Sequence, residues 1–265
     1  MSEIAVQQTV YLITGANKAL TDVDIFPGIG RAIVEILLQR PDTIVVAGVR
    51  FPNDPTCTSL RELHTGKGSK AFVVELREDK HYKALGETLK SQGIDHLDVV
   101  IANAGTSKGF YTVVETPLEN VISDFEVNTI GTMKLFQTCW PLYRPKHAQG
   151  GKPRKWIVVT SSLGSIGCLD MESMPCASYG LSKAAVNFMT KKIAVEMKDE
   201  NLAAMCIHPG WVNTEMGRKL AQSLGAPDPA LTPEDSARGC LDYIDNLTIE
   251  TTGKFLYYDG RELPW

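Results

Sequence analysis

Short runs of β-branched and other apolar residues alternate with helical patterns along the whole 265-residue chain. Several of the runs are continuously apolar, which is typical of strands that are covered on both faces. Because helical segments separate them, right-handed crossovers would join the strands into a doubly wound, Rossmann-like parallel sheet of the α/β class. No internal repeat or linker divides the sequence, so we expect a single domain over residues 1–265. The predicted strands are 9–14, 43–49, 70–76, 97–103, 156–160, 203–208 and 254–258.

Apolar residues at helical spacing predict the intervening helices. The region 213–228 has the composition of a loop, and we expect it to be mobile and to shape a substrate pocket. The predicted helices are 30–39, 79–91, 119–140 and one that carries Tyr179 and continues through 184–197.

Charge, hydropathy and cysteine spacing exclude several kinds of function. The formal net charge is -4 and the basic residues are scattered, with the densest group at 152–155 predicted as a solvated loop, so we expect no nucleic-acid partner. No apolar stretch approaches 18 residues and the first residues do not resemble a signal peptide, so we expect no membrane span and a cytoplasmic location. The six cysteines form no C-x-x-C pair and no cluster with histidine, which indicates reduced thiols and no metal site.

Tyr179 and Lys183 stand four residues apart, which places both side chains on one face of a helix. A phenol has an ordinary pKa of about 10, too high for acid-base catalysis near neutral pH. An ammonium group about 4 Å away contributes roughly 4 kcal/mol, enough to bring that pKa near 7. The pair therefore predicts a proton donor with its own tuning charge. The alternative is an ordinary half-buried aromatic residue on an amphipathic helix.

Glycines follow the first predicted strand and open the first helix. Gly15 and Asn17 lie in the turn, and Gly28, Ile29 and Gly30 begin the helix. At such a turn, backbone amides and the positive end of the helix approach a pyrophosphate. About nine extra residues, 19–27, interrupt the compact turn that this site requires. The alternative is a plain turn followed by a longer loop.

Arg50 directly follows the second predicted strand, where an acidic residue would bind the ribose of NAD. A guanidinium at this place suits a 2′-phosphate, which favours NADP. A surface arginine is the alternative, and Lys18 is a candidate helper.

Polar residues recur at the carboxyl edge of the predicted sheet. Asn103 begins a turn of small residues, which would let a cofactor lie close to the sheet. The alternative is an ordinary tight turn. Asn128 is a polar residue in a largely apolar helix, so its amide needs a hydrogen-bond partner. The alternative to a role at the site is a buried amide that bonds to nearby backbone. Ser161 and Ser162 end the fifth strand, where serines are common turn residues.

Taken together and in order, these motifs resemble the short-chain dehydrogenase/reductases across nearly the whole chain. Finer segments resemble the sniffer-type carbonyl reductases and the fungal norsolorinic acid ketoreductases: Ser-Ser-Leu-Gly-Ser-Ile at 161–166, His-Pro-Gly-Trp-Val at 208–212 and the ending at 258–265.

The resemblance implies a role for each motif residue. Tyr179 would protonate a carbonyl oxygen, with Lys183 tuning it and binding the nicotinamide ribose. Ser162 would hold the substrate oxygen, and Asn128 would position a water in a proton relay. Val212 and Thr214 would bind the carboxamide of the cofactor.

We therefore expect an NADP(H)-dependent carbonyl reductase or ketoreductase that acts on a small-molecule ketone, with an aromatic, polyketide-derived substrate of secondary metabolism as one candidate. The motifs leave a homo-oligomer open. Phe110, Leu163, Trp211 and Met216 are candidate pocket residues, with core packing as the alternative. Arg77 stands where the family usually has an aspartate facing adenine, and an extended loop through Met171 and Met174 would lie beside the substrate.

Two rival interpretations depend on the interrupted glycine turn. In one, the chain is a non-catalytic binding protein of reductase fold whose cofactor loop is impaired. In the other, residues 19–27 result from an inaccurate gene model and are absent from the real protein.

Overall fold

Parallel strands form one seven-stranded sheet in the computed structural model, which describes residues 8–17, 28–143, 152–171 and 174–265. The strand order is β3-β2-β1-β4-β5-β6-β7. The strand order reverses between β1 and β4, which creates a crevice at the carboxyl edge of the sheet. The strands are β1 (Thr9–Thr14), β2 (Thr43–Val49), β3 (Lys70–Glu75), β4 (Val99–Ala102), β5 (Arg154–Val159), β6 (Leu202–His208) and β7 (Phe255–Tyr257).

Helices cover both faces of the sheet, which confirms the doubly wound α/β prediction. In the central strand β1, Ile13 packs on one face with α1 and α8, and Leu12 packs on the other with α3, α5 and α6. The helices are α1 (Ile29–Gln39), α2 (Pro55–Arg61), α3 (Asp79–Ser91), α4 (Leu118–Phe125), α5 (Gly131–Cys139), α6 (Ala177–Glu196), α7 (Glu215–Ser223) and α8 (Pro233–Asp245).

The predicted helix over 119–140 is interrupted by a single π-helical turn at Glu126–Ile130, between α4 and α5. Such a turn widens the helix by one residue and often marks a functional site. It contains Asn128.

Two expectations about local structure are wrong. The region 213–228 contains helix α7, which Thr214 caps by accepting a hydrogen bond from the Gly217 amide. The basic group near 152 is also no solvated loop, because Arg154 begins β5 and is buried, with its guanidinium 5.3 Å from the centre of the Trp140 ring.

All six cysteines belong to the described residues and are buried free thiols. Among the described residues, no helix has both the length and the apolar composition needed to cross a bilayer. The same parts of the chain contain no group of three or more metal-ligating side chains.

Candidate active site

A cavity of about 880 Å³ occupies the crevice at the carboxyl edge of the sheet. Its walls include the candidate cofactor residues Gly15, Asn17, Gly28, Ile29, Gly30, Arg50, Asn103, Val212 and Thr214, together with Ser162, Tyr179 and Lys183. Of the four candidate catalytic residues, Asn128 does not line it and is 1% exposed behind the wall, and the candidate helper Lys18 lies outside the described residues. The parallel strands thus bring residues from distant parts of the sequence to one cavity.

One end of the cavity is a glycine cradle. Gly15 has a φ of 66°, which favours glycine. A Cβ at Gly30 would lie 2.5 Å from the carbonyl oxygen of Gly15 and would also collide with the Asn103 amide nitrogen. Gly28 caps α1 without a side chain, so the first amides of that helix remain available to an anion. The cradle fits a pyrophosphate; the insertion at 19–27 lies outside the described residues.

Asn17 and Asn103 use their side chains to hold this cradle in place. The Asn17 amide donates to the Thr56 hydroxyl at 2.9 Å, which ties the turn after β1 to α2. The Asn103 amide donates to the Thr14 carbonyl at 2.9 Å, which joins the ends of β1 and β4. Both side chains therefore have a structural role, whether or not they also contact a cofactor.

Arg50 is exposed at the cavity edge, directly after β2. Arg77 also lines the cavity, and its guanidinium lies 4.9 Å from the centre of the Phe51 ring. Two cations consequently face the end of the cavity that the adenosine half of a dinucleotide would occupy.

At the other end, α6 places Tyr179 and Lys183 on one face, as their spacing predicts. The Lys183 ammonium lies 5.6 Å from the centre of the Tyr179 ring and donates to the Val159 carbonyl at 2.9 Å. Burial lowers the pKa of Lys183 to about 8.

The pKa of Tyr179 is shifted in the direction opposite to the one expected. Burial raises it, the nearby Cys176 and Asp124 raise it further, and a hydrogen bond from Ser161 lowers it. Removing the phenolate from water therefore outweighs the nearby favourable groups. Tyr179 is a neutral phenol near pH 7 in this structure, which is the form that donates a proton.

The two serines at the end of β5 differ in their surroundings. The Ser161 hydroxyl accepts from the Leu163 amide at 3.2 Å and is one of the groups that lower the pKa of Tyr179. The Ser162 hydroxyl instead lies 3.2 Å from Nε2 of His208, and burial lowers the pKa of that histidine to about 4. Both serines line the cavity, so both hydroxyls are candidates to hold a substrate oxygen.

Asn128 makes three hydrogen bonds within the protein. Its Oδ1 accepts from the Thr106 amide at 2.8 Å, and its Nδ2 donates to the Thr106 carbonyl and to the Ser182 hydroxyl, both at 2.9 Å. A Cβ at Gly105 would lie 3.3 Å from Asn128 Oδ1 and 3.6 Å from Lys183 Nζ. The amide therefore fixes the turn after β4 against α6, beside the lysine.

Apolar side chains also line the cavity. The predicted pocket residues Phe110, Leu163, Trp211 and Met216 all line it, and so does Met174. Met171 does not line it and is exposed. The Trp211 indole is fixed by donating to the Gly217 carbonyl at 3.1 Å. An apolar, partly aromatic substrate would fit these walls.

Sequence reasoning names Ser161 and Ser162 at this edge of the sheet but misses His208. His208 shows no signal beyond its position at the end of β6, on the edge where the other motifs converge. Which serine faces Tyr179 depends on the short turn at Ser162–Gly164, which spacing alone does not specify.

Comparisons with known proteins agree with this geometry. The short chain dehydrogenase family model matches residues 10–225. The short-chain dehydrogenase srdF of Neurospora crassa is 36% identical over 97% of this chain and 98% of its own. The norsolorinic acid ketoreductase of Aspergillus parasiticus is 36% identical over 98% of this chain and 92% of its own.

Solved structures share the fold over the same extent. The NADPH-bound carbonyl reductase from chicken fatty liver superposes with a TM-score of 0.79 at 26% identity, covering 98% of this chain and 100% of the other. The carbonyl reductase Sniffer of D. melanogaster has a TM-score of 0.81 at 24% identity and the same coverage, a likeness of fold.

Proposed function

The chain belongs to the short-chain dehydrogenase family, and we propose that it is an NADP(H)-dependent oxidoreductase that reduces a ketone to an alcohol. The observation that carries the proposal is one cavity with the glycine cradle and Arg50 at one end and Tyr179, Lys183 and Ser161 at the other. A dinucleotide laid along this cavity would bring its nicotinamide to the tyrosine.

Several residues of the chain would hold the cofactor. The first amides of α1 would bind the pyrophosphate, and Arg50 would pair with the 2′-phosphate. Val212 and Thr214, in the segment between β6 and α7, line the cavity and are the candidates for the carboxamide, although the Thr214 hydroxyl also caps α7. The bound cofactor supplies the hydride.

The proton comes from the protein. As the carbonyl carbon gains a hydride, negative charge develops on the oxygen, which Ser161 stabilises by donating a hydrogen bond. Tyr179 then transfers its phenolic proton to that oxygen. The transfer is downhill even with a raised tyrosine pKa, because an alkoxide is a stronger base than a phenolate. Lys183 returns a proton to the tyrosine, and Asn128 positions the turn beside the lysine.

We assign the role of holding the substrate oxygen to Ser161, one of the groups that influence the pKa of Tyr179, and the variants Ser161→Ala and Ser162→Ala test the choice. Ser162 faces His208, so we assign it to the support of the cavity wall.

The substrate class follows from the apolar residues that line the cavity. Phe110, Trp211, Met174 and Met216 favour a flat, largely apolar ketone. The relative named norsolorinic acid ketoreductase supports an aromatic, polyketide-derived ketone of secondary metabolism as the candidate. The cytoplasm stays our prediction for its location, supported by six buried free thiols.

A homo-oligomer also stays a prediction, and one surface supports it. On α6, Leu181, Phe188 and Val195 recur every seven residues and are exposed, and on the neighbouring α4, Leu118 and Ile122 are exposed as well. A continuous apolar face of this kind on two adjacent helices suits pairing with a second copy of the chain.

The test of the proposal is Tyr179→Phe, which removes the proton donor and keeps the ring. We expect NADPH to bind as in the wild type while aromatic ketone reduction falls by about 10²- to 10⁴-fold. A variant that keeps most of the turnover would show that the mechanism is wrong.

A further inference from the structure

Residues 263–265, here called the Leu-Pro-Trp segment, lie close to the proposed site without lining its cavity. The segment runs back along the edge strand β7. The Leu263 amide donates to the Phe255 carbonyl at 2.8 Å, and Glu262 forms an antiparallel bridge with Leu256. The proposed mechanism does not use these residues.

The segment contacts the turn at residues 161–168, here called the serine loop. The Ser165 hydroxyl donates to the Pro264 carbonyl at 2.6 Å, and the Gly167 amide donates to the Trp265 carbonyl at 3.0 Å. A Cβ at Gly167 would lie 2.7 Å from the Pro264 Cβ. Ser165 is 1% exposed, so its hydrogen bond is protected from water. The contact is therefore both polar and close.

The opposite side of the serine loop packs against α6. A Cβ at Gly164 would lie 2.6 Å from the Lys183 Cβ, and the Asn187 amide donates to the Gly164 carbonyl at 3.1 Å. The loop that contains Ser161 and Leu163 is thus enclosed between the catalytic helix and the Leu-Pro-Trp segment.

Trp265 anchors the segment to the body of the protein. Its ring lies 5.5 Å from the Phe255 ring and 5.4 Å from the Lys191 ammonium. Lys191 also donates to the Gly253 carbonyl at 2.8 Å. The aromatic and cation–π contacts connect the segment to β7 and to α6 at once.

We propose that the Leu-Pro-Trp segment is a positioning element that holds the serine loop, and with it Ser161 and Leu163, at the distance from Tyr179 that reduction requires. The proposal rests on the proposed function. The loop consists of short 3₁₀ turns, which have weak internal hydrogen bonds, so outside contacts determine its position. A displacement of about 1 Å at a reacting group lowers a rate by up to about 10²-fold.

The experiment compares Ser165→Ala and Trp265→Ala with two controls. Ser165→Ala removes the hydrogen bond to Pro264, and Trp265→Ala removes the anchoring ring. Trp265→Phe keeps an aromatic ring. Glu262→Gln alters the exposed residue just before the segment, whose carboxylate pairs with Lys254 at 3.0 Å. Three quantities are measured: kcat/KM for an aromatic ketone, Kd for NADPH, and hydrogen exchange of the 161–171 peptide.

We expect both alanine variants to lose about tenfold in ketone kcat/KM, with NADPH Kd within about twofold of the wild type and faster exchange in the 161–171 peptide. Trp265→Phe and Glu262→Gln should resemble the wild type. The proposal is overturned if the alanine variants only melt earlier with unchanged ketone kinetics, or if NADPH binding falls equally.

The hydrogen-exchange measurement separates this proposal from the proposed function. If the wild type reduces no ketone, the proposed function fails. Faster exchange of the 161–171 peptide in Ser165→Ala would then still support the positioning role, and unchanged exchange would overturn it.

Discussion

Replacing Gly30 with alanine tests the glycine cradle directly. The new methyl group would lie 2.5 Å from the Gly15 carbonyl oxygen and would collide with the Asn103 amide. Both neighbours are constrained, because Gly15 has a positive φ and the Asn103 amide donates to Thr14 at 2.9 Å. The added atom cannot fit without moving backbone away from the position that a pyrophosphate needs.

The size of the effect follows from this overlap. Overpacking a rigid site typically costs about 1–3 kcal/mol. At 1.4 kcal/mol per factor of ten, this cost lowers NADPH affinity by at most roughly 5- to 150-fold. The part of the cost that is already present without ligand lowers the melting temperature instead of the affinity.

The assay is a fluorescence titration with NADPH together with a thermal melt. Gly86→Ala is the matched control, because it places the same methyl group on α3, where its nearest neighbour is the flexible end of Leu142 at 3.2 Å. The control should bind NADPH like the wild type. A Gly30→Ala protein with wild-type affinity and stability would refute the cradle.

Three further predictions concern the catalytic end and the surface. Ser161→Ala should lower ketone turnover by about 10²- to 10³-fold and Ser162→Ala by less than about tenfold; steady-state kinetics would contradict us if the order is reversed. Because the pKa of Lys183 falls from 10.5 to about 8 on folding, the buried ammonium destabilises the protein most below pH 8. The melting temperature of Lys183→Met should therefore be higher than that of the wild type at pH 7, and this difference should shrink toward pH 10. A difference in melting temperature that does not depend on pH would contradict this prediction. Phe188→Asp should shift the mass measured by light scattering from dimer to monomer, and a wild-type monomer would refute the pairing surface.

Hydropathy alone predicts most of the fold. The seven predicted strands all occur, because continuous apolar runs must lie between two helical layers, and the family resemblance drawn from the motifs is confirmed. Helix α8 was missed although Thr232 and Pro233 form a recognisable helix start. Helix α7 was read as loop because its composition is polar and its capping residue, Thr214, was assigned to the cofactor.

Several features of the site depend on the fold and are not predicted by the spacing of residues in the sequence. The four-residue interval places Tyr179 beside Lys183, but the direction of the tyrosine pKa depends on burial, which spacing does not reveal. Asn128 needed a partner, and its partners on Thr106 and Ser182 come from segments far along the chain. The choice between Ser161 and Ser162 depends on one turn of 3₁₀ helix.

We propose above all that this cavity binds NADP(H) for the reduction of a ketone. An equilibrium titration of the wild type with NADPH and with NADH, repeated on Arg50→Ala, tests it most directly. We predict NADPH binding at least about tenfold tighter than NADH, with the preference lost in Arg50→Ala, since a charge-assisted hydrogen bond contributes about 1.5–3 kcal/mol. Failure of the wild type to bind either nucleotide would contradict the account and favour a non-catalytic protein of the same fold.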